Sequence, residues 1–373
     1  MSETSSAIHA PSPQPSPGGR GGKNAYIPSL HRIALLTAAA TFPLIFMGGL
    51  VTSHKAGMSV PDWPNSYGYN MFTFPPSQWV GGIFYEHTHR LMGSVVGMLS
   101  ILLVIWTWRA ETRRWVRWLS VGVLGAVIVQ GILGGLRVVL VNLDLAVIHG
   151  CFAQAFFCFA GLMAVVTSRW WHERSTQDVG IHNRRLLAAC VFAVVLIFAQ
   201  LIVGATMRHY DAGLAIPDLP LAYGKLLPPI TDAALESANN HRIWSMHLPA
   251  VTMQQVWLHF GHRVGATLVT IAALVVFGWI MRWYANVAAL RNPAICLMVL
   301  LVTQITLGVL TVLQRKPADI ASAHVAVGAL TLLTTFVLTA RVSRLTQSIP
   351  RQVTPAHAEF ESEFVSNGEL VTA

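Results

Sequence analysis

The sequence predicts an all-α integral membrane protein with eight transmembrane helices, arranged as two parallel-repeat four-helix bundles. Three observations support this prediction: long apolar runs, an uneven distribution of basic residues, and an internal repeat. The 373 residues are 54% hydrophobic and only 11% charged, whereas soluble domains are typically about 25% charged. This composition excludes a water-soluble enzyme.

Apolar runs of membrane-spanning length recur along the chain. A helix of about 20 apolar residues crosses roughly 30 Å of hydrocarbon. The predicted spans are residues 33–51, 80–107, 119–139, 145–166, 186–207, 256–281, 293–313 and 320–342.

The basic residues predict the orientation of these spans. Of the 25 lysines and arginines, 16 lie in the N-terminal segment, the loops that follow even-numbered spans, and the C-terminal end from Arg341 onward. Basic loops favour the cytoplasmic side, so we expect a multi-pass protein of a bacterial inner membrane with both termini in the cytoplasm. The net charge of +9 does not indicate nucleic-acid binding, because the basic residues form no stripe or arm.

The flanking segments and the linker are polar. Residues 1–29 are rich in Ser, Pro and Gly and are expected to be disordered, without the apolar core of a signal peptide. Residues 169–185 are predicted to form a cytoplasmic linker between bundles at 30–168 and 186–345, and residues 346–373 a polar tail. All four cysteines fall in apolar runs, which indicates core packing rather than disulfides.

The two halves of the chain repeat each other. Residues 56–68 read AGMSVPDWPNSYG and residues 212–224 read AGLAIPDLPLAYG, with seven identities in 13 positions. The similarity continues downstream, where EHTHR at 86–90 matches HFGHR at 259–263. Each unit has four spans and returns the chain to its starting side, so the repeats are predicted to be parallel.

Histidines within the spans are the strongest indication of function. Of 15 histidines, six lie inside predicted spans, where an ionisable side chain is costly and by default functional. Four of them occupy repeat-equivalent positions, one on every even-numbered span near its outer end. These four are His89, His149, His262 and His324.

Two imidazoles that face each other across a bundle suit the axial positions of a haem iron. Zinc would require three or four converging ligands, which two histidines in each bundle do not provide. The sequence therefore predicts one haem-sized site in each half. Arg90 and Arg263, each adjacent to a candidate ligand, are candidates for binding haem propionates, with interfacial anchoring as the alternative.

Small residues lie beside the candidate ligands. Gly93 and Gly97 follow His89, Gly261 and Gly265 flank His262, and Gly150 follows His149. The spacing of Gly93 and Gly97, or of Gly261 and Gly265, fits either a flat, bulky guest or close helix packing, and both interpretations stay open.

One position distinguishes the halves. Glu86 stands three residues before His89, whereas His259 stands three residues before His262, and this spacing places each on the helix face of the ligand. A carboxylate beside a haem can relay protons, so the N-terminal half is predicted to be the reaction site and the C-terminal half a cofactor site. His87 points to another face and is interpreted as structural or interfacial.

At these residues the chain resembles the haem A synthase family, membrane enzymes that oxidise haem O. The resemblance extends from about residue 33 to 342. It is carried by GGLV at 48–51, the loop glycine at 57 with PDWP at 61–64, EHTHR at 86–90, VIHG at 147–150, and the histidines at 262 and 324.

The resemblance implies a reaction, cofactors and partners. It implies that His262 and His324 hold a haem b cofactor, that His89 and His149 take the substrate haem O, and that Glu86 is functionally important. The reaction would be stepwise hydroxylation of a porphyrin methyl group, with loss of water giving the formyl group of haem A. An electron-donor protein or quinol would supply electrons, and haem O synthase and haem–copper oxidase subunits are the implied partners.

Two departures and two alternatives accompany this prediction. The outer loops lack the cysteine pair found in many bacterial relatives, and the loop at 227–255 is long enough to form a cap.

Two other functions stay open for the sequence. A bis-histidine di-haem cytochrome would use the same four histidines without needing Glu86. A parallel-repeat transporter would place charges or broken helices near the bilayer midplane, whereas the polar groups here cluster near one face.

Overall fold

The computed structural model describes residues 26–173 and 184–346. In these ranges the chain is helical and forms no extended strand, only two isolated bridges in loops. The α-helices are α1 (Pro28–Ser53), α2 (Gly81–Ala110), α3 (Arg114–Val139), α4 (Leu143–Val166), α5 (Arg169–Glu173), α6 (Arg184–His209), α7 (Asp232–Trp244), α8 (Met253–Trp283), α9 (Ala288–Leu313) and α10 (Ala318–Thr346).

Eight of the helices in the described ranges are long and apolar enough to cross a membrane. The shortest, α4, has 24 residues and is therefore about 36 Å long at 1.5 Å per residue, more than the roughly 30 Å of hydrocarbon it must cross. The prediction of an all-α protein with eight transmembrane helices is confirmed. The protein is a multi-pass membrane protein.

The ends of the helices differ from the predicted spans because capping lies outside the hydropathy signal. α1 begins at Pro28, inside the segment assigned to the N-terminal region, since proline suits the first turn of a helix. Side-chain caps also start α4 at Asn142 and α8 at Thr252, where Gln255 completes a capping box. The rest of the predicted N-terminal segment, most of the linker and nearly all of the tail lie outside the described residues.

The transmembrane helices pack as two connected rings. In the first half, α1 and α3 each contact both α2 and α4; in the second half, α6 and α9 each contact both α8 and α10. The halves meet where α10 contacts α1 and α4, and where α4 contacts α6. That the rings are parallel copies of one unit, with domain limits at 30–168 and 186–345, stays a prediction.

The long loop before α8 contains a helix of its own. Arg242 of α7 is only 1% exposed and donates to the carbonyls of Pro249, Leu214 and Ala215. Because the last two belong to the repeated loop of the second half, the guanidinium fastens α7 onto that loop. The long segment thus packs against the same end of the ring as the histidines.

Close helix packing joins the halves at Gly49. A Cβ atom at Gly49 would lie 2.9 Å from Ser322 Cβ and 3.2 Å from Ser322 Cα of α10. We expect Gly49→Ala to lower the thermal unfolding temperature of the detergent-solubilised protein, because overpacking a tight contact costs about 1–3 kcal/mol. Gly122→Ala on α3 is the matched control, since no atom lies within 4 Å of its added Cβ. Equal unfolding temperatures for the two variants would contradict the predicted role of Gly49.

Candidate functional site

The loop that follows α1 is folded by one carboxylate. Asp62 accepts hydrogen bonds from the backbone N–H groups of Tyr67 and Gly68, both at 2.8 Å, and the Tyr67 hydroxyl donates to the carbonyl of Ser59 at 2.5 Å. Partial desolvation raises the pKa of Asp62, but the Gly68 and Tyr67 N–H groups outweigh it, so the pKa lies below its ordinary value. The carboxylate therefore stays charged and holds the turn at neutral pH.

The loop that follows α6 repeats this turn. Asp218 accepts from the N–H groups of Tyr223 and Gly224, again at 2.8 Å each, and the Tyr223 hydroxyl donates to the Ala215 carbonyl. Tyr223 has a φ of 55° and Gly224 a φ of 75°, close to the values of their counterparts in the first loop. The repeated sequence at 56–68 and 212–224 thus encodes the same hydrogen-bonded turn twice.

Arg90 joins the first loop to α2. Its terminal nitrogens donate to the carbonyls of Val60 at 2.7 Å, Asp62 at 2.7 Å and Asn65 at 2.9 Å. Carbonyl oxygens satisfy a buried guanidinium well, because they accept several of its five donors at once. Arg90 therefore holds the loop over the helix that carries His89.

Arg263 makes the equivalent contacts in the second half. Its two terminal nitrogens donate to the carbonyls of Ile216 and Leu221, both at 2.9 Å. Loop anchoring by Arg90 and Arg263 was not among the roles that the sequence predicted for them. Their predicted role in binding haem propionates stays a prediction.

Glu86 and His259 occupy the same structural position. The N–H group of Val60 donates to Glu86 Oε2 at 2.9 Å, and that of Ile216 donates to His259 Nδ1 at 3.2 Å. Glu86 Oε1 also lies 3.0 Å from Arg90 Nη2, and both acceptor side chains are at most 3% exposed. Each half therefore uses its own type of acceptor at this position to fix the loop.

The four candidate ligands form two pairs of equal spacing. The ring centres of His89 and His149 are 6.4 Å apart, and so are those of His262 and His324. A metal lies about 2 Å from a ligating imidazole nitrogen and the ring centre about 1 Å further, so two axial imidazoles place their centres about 6 Å apart. Both pairs have the separation that axial ligation of one iron requires.

Other donors do not complete a metal site of the zinc type around these pairs. Among residues 26–173 and 184–346, no three His, Cys, Asp or Glu side chains converge on one point. Nδ1 of His89 and Nδ1 of His149 are buried without a hydrogen-bond partner in the described part of the chain. The donor set of each pair, two imidazoles, fits a haem iron, whose other four ligands come from the porphyrin.

A glycine on the preceding transmembrane helix lies against each imidazole. A Cβ atom at any of these glycines would come within 3.0–3.1 Å of the ring carbon Cε1, closer than an ordinary contact. The pairs are Gly48 with His89, Gly134 with His149, Gly204 with His262, and Gly308 with His324. The sequence does not single out Gly204, because its contact with His262 depends on how two separate helices pack.

The glycines beyond His89 line open space rather than a helix contact. No atom lies within 4 Å of a Cβ built on Gly93 or Gly97, and both share a helix face with His89 because they follow it by four and eight residues. Close packing is therefore the wrong interpretation for this pair. At Gly265, in contrast, an added Cβ would overlap the Gln200 side chain, so packing is correct there.

Glutamine residues contact three of the four ligand residues. They lie on α3, α6 and α9, and two of them occur at repeat-equivalent positions. The contacts are Gln130 Nε2 to the His149 carbonyl (2.9 Å), Gln200 Nε2 to the His262 carbonyl (2.7 Å), and His324 Nδ1 to the Gln304 carbonyl (3.1 Å). The sequence signal was their polarity inside apolar spans, but no role was predicted for them.

His87 lies apart from the pairs. It is fully buried, and its Nδ1 lies 3.1 Å from the Ser66 hydroxyl in the first loop. Its ring packs against Phe74 and Trp79. His87 therefore packs against the first loop and does not lie between His89 and His149.

A cavity of about 710 Å³ lies at the other end of the helices, between α6 and α10. Its walls include Leu187, Val191 and Phe192, and none of the four paired histidines lines it. A haem-binding role therefore has support at the imidazole pairs and not at this cavity.

Comparison with known proteins identifies the family of the chain. Residues 31–337 match the family described as COX15-CtaA, cytochrome oxidase assembly protein. The chain belongs to this family. The match covers all eight transmembrane helices at least in part, and it includes both imidazole pairs of this COX15-CtaA family member.

Several relatives of this COX15-CtaA chain carry the name heme A synthase. The protein of that name from Shouchella clausii is 28% identical in an alignment 294 residues long that covers 76% of this chain and 87% of the relative. That from Halalkalibacterium halodurans is 24% identical in an alignment 298 residues long that covers 79% of this chain and 91% of the relative. That from Orientia tsutsugamushi strain Ikeda is 24% identical in an alignment 344 residues long that covers 79% of this chain and 90% of the relative.

Proposed function

We propose that this chain is a haem A synthase, which oxidises a methyl group of haem O to the formyl group of haem A by successive hydroxylations. The observation that carries the proposal is the pair of 6.4 Å imidazole separations, in a chain whose relatives bear the name heme A synthase. The protein would act in a bacterial inner membrane, with both termini in the cytoplasm, and would serve the assembly of haem–copper oxidases.

The two halves would have different tasks. His262 and His324 would hold a resident haem b, with Arg263 and His259 fixing the loop above it. His89 and His149 would hold the substrate haem O, covered by the loop that Arg90 clamps. A resident haem supplies one-electron transfer when bound; the electrons themselves would come from a donor protein or a quinol.

The chain's own residues position the substrate and exclude water. The glycines beside the imidazoles let each ring approach the preceding transmembrane helix closely, and the open face at Gly93 and Gly97 would admit a planar macrocycle. Glu86, in the shell between the loop and His89, is the nearest carboxylate on the same helix face and can hold or pass a proton there. Glu86 is only 2% exposed, and electrostatic contacts are stronger away from bulk water.

Haem analysis tests the proposal directly. The protein is expressed in a bacterial host that makes haem O but lacks its own haem A synthase, and extracted haems are separated by chromatography. We expect haem A, or the hydroxylated intermediate, with the wild type and neither with the His89→Ala variant. Unconverted haem O, together with a bis-histidine spectrum and a competent electron donor, would instead identify an electron-transfer cytochrome.

A further inference from the structure

Arg137 is placed at the N-terminal imidazole pair by the helix that carries it. It lies in the last turn of α3, three residues after Gly134, the glycine that abuts the His149 ring. Residues three apart share a helix face, so Arg137 lies next to His149 in the direction of the outer loops. Its guanidinium lies over the loop at Gly57, where a Cβ atom would come within 3.1 Å of Arg137 Nη2.

The charge of Arg137 faces the site without a direct partner. Glu86, His89 and His149 lie within electrostatic range of its guanidinium. Both oxygens of Glu86 already accept from the loop and from the neighbouring arginine. Across residues 26–173 and 184–346, the Arg137 side chain makes no hydrogen bond and no ion pair with another residue. Burying a charged guanidinium without a partner costs free energy, because the charge loses contact with water. An anionic ligand beside Arg137 would offset this cost by pairing with the charge.

The other partly or fully buried arginines at this end of the helices are engaged. Each of them donates from its guanidinium to backbone carbonyls: Arg90 to Val60, Asp62 and Asn65, Arg208 to Gly49 and Ala321, Arg242 to Pro249, Leu214 and Ala215, and Arg263 to Ile216 and Leu221. Arg137 differs from all of them in this respect.

The second half has no counterpart of this cation. Gly134 corresponds to Gly308, so Arg137 corresponds to Thr311, whose hydroxyl donates to the Leu307 carbonyl of its own helix at 2.7 Å. Within the described residues, a guanidinium without a hydrogen-bond partner therefore distinguishes the N-terminal pair from the C-terminal pair, near which Arg208 is held by backbone carbonyls. Such a feature at the proposed substrate half suits recognition of a ligand that must enter and leave.

We propose that Arg137 binds a carboxylate of the porphyrin held between His89 and His149. This inference rests on the proposed function and names the anchor for the substrate's acidic edge. A planar guanidinium binds a carboxylate through two parallel hydrogen bonds, which orients the porphyrin about its iron–imidazole axis as well as holding it. Arg90, whose N–H groups donate to loop carbonyls, would then hold the loop that covers the site.

Binding measurements with two haems separate charge recognition from the general fit of the ring. Purified protein with its resident haem is titrated, in detergent, with iron protoporphyrin IX and with the dimethyl ester of the same haem, which lacks the carboxylates. We expect Arg137→Gln to weaken binding of the free acid at least about 10-fold, as for loss of a charge-assisted pair. The ester should bind wild type and variant equally.

Two further variants control the experiment. Arg315→Gln removes an exposed positive charge from the loop after α9 and should leave both affinities unchanged. Arg137→Lys keeps the charge without the planar fork and should recover part of the affinity for the free acid. An unchanged spectrum of the resident haem reports that each variant is folded.

The outcomes distinguish this inference from the proposed function. If the wild type takes up added haem and Arg137→Gln binds the free acid equally tightly, the role of Arg137 is wrong and the site stands. Equal weakening of free acid and ester by Arg137→Gln would also overturn the carboxylate contact. If the wild type takes up no haem beyond the resident one, the substrate site itself is refuted, and the role of Arg137 with it.

Discussion

We expect Glu86→His to abolish the formation of haem A while leaving the loop above His89 in place. In the second half, His259 accepts the loop N–H group at the equivalent position, so an imidazole can replace the carboxylate as a loop anchor. The substitution removes the carboxylate beside His89 and His149, the group proposed to carry the proton. Loss of a positioned acid–base group typically slows a reaction about 100-fold or more.

The rate is measured as haem A formed from haem O per molecule that retains the resident haem. Normalising to resident haem separates loss of chemistry from loss of folded protein. Glu86→Ala is the companion variant, because it removes both the charge and the loop anchor. If Glu86→His formed haem A at the wild-type rate while Glu86→Ala did not, Glu86 would act only by holding the loop, and the proposed proton transfer would be wrong.

The second large effect is expected at the imidazoles of the C-terminal half. His262→Ala should yield protein without a tightly bound haem, because the variant would lose one of the two imidazoles proposed to hold the resident haem. His89→Ala is the matched substitution in the other half, at the same ring-centre separation of 6.4 Å. It should retain the resident haem and lose the conversion of haem O.

Haem content per protein, measured after purification as the pyridine complex, decides between the halves. The reverse result, in which His89→Ala strips the haem and His262→Ala retains it, would exchange the cofactor and substrate assignments. If both variants kept a full complement of haem, neither pair would ligate the resident iron, and the haem-binding interpretation of the 6.4 Å pairs would fail.

Hydropathy is sufficient to predict the transmembrane spans, and the positions of histidines within those spans are sufficient to select the candidate ligands. Apolar runs report helices directly, since each span must satisfy its backbone hydrogen bonds internally in lipid. A histidine inside such a run, as at His149 or His324, needs a reason to be there. These are properties of single segments, and they can be read without knowing which helices touch.

The sequence predicts the role of the repeated loop only in part. The repeat of the Pro-Asp segment was visible as seven identities in 13 positions, but its cause was not. Asp62 and Asp218 build the same turn through N–H groups within the loop. Arg90 and Arg263 fasten that turn through contacts between residues more than 20 positions apart. In the sequence, Glu86 and His259 differ only in the chemistry of their side chains. In the structure, each also accepts a hydrogen bond from a backbone N–H group of its loop.

The sequence by itself determined an eight-helix membrane protein, a doubled loop motif, and four histidines at equivalent places, because each of these depends on local composition or on direct comparison of two segments. Only the tertiary structure decided which glycine lies against which imidazole, that Arg90 is committed to the loop, and that the Arg137 guanidinium is not. Those facts depend on where side chains from different helices meet. Helices in a membrane meet through packing of small residues and interhelical hydrogen bonds, which no single segment of the sequence specifies alone.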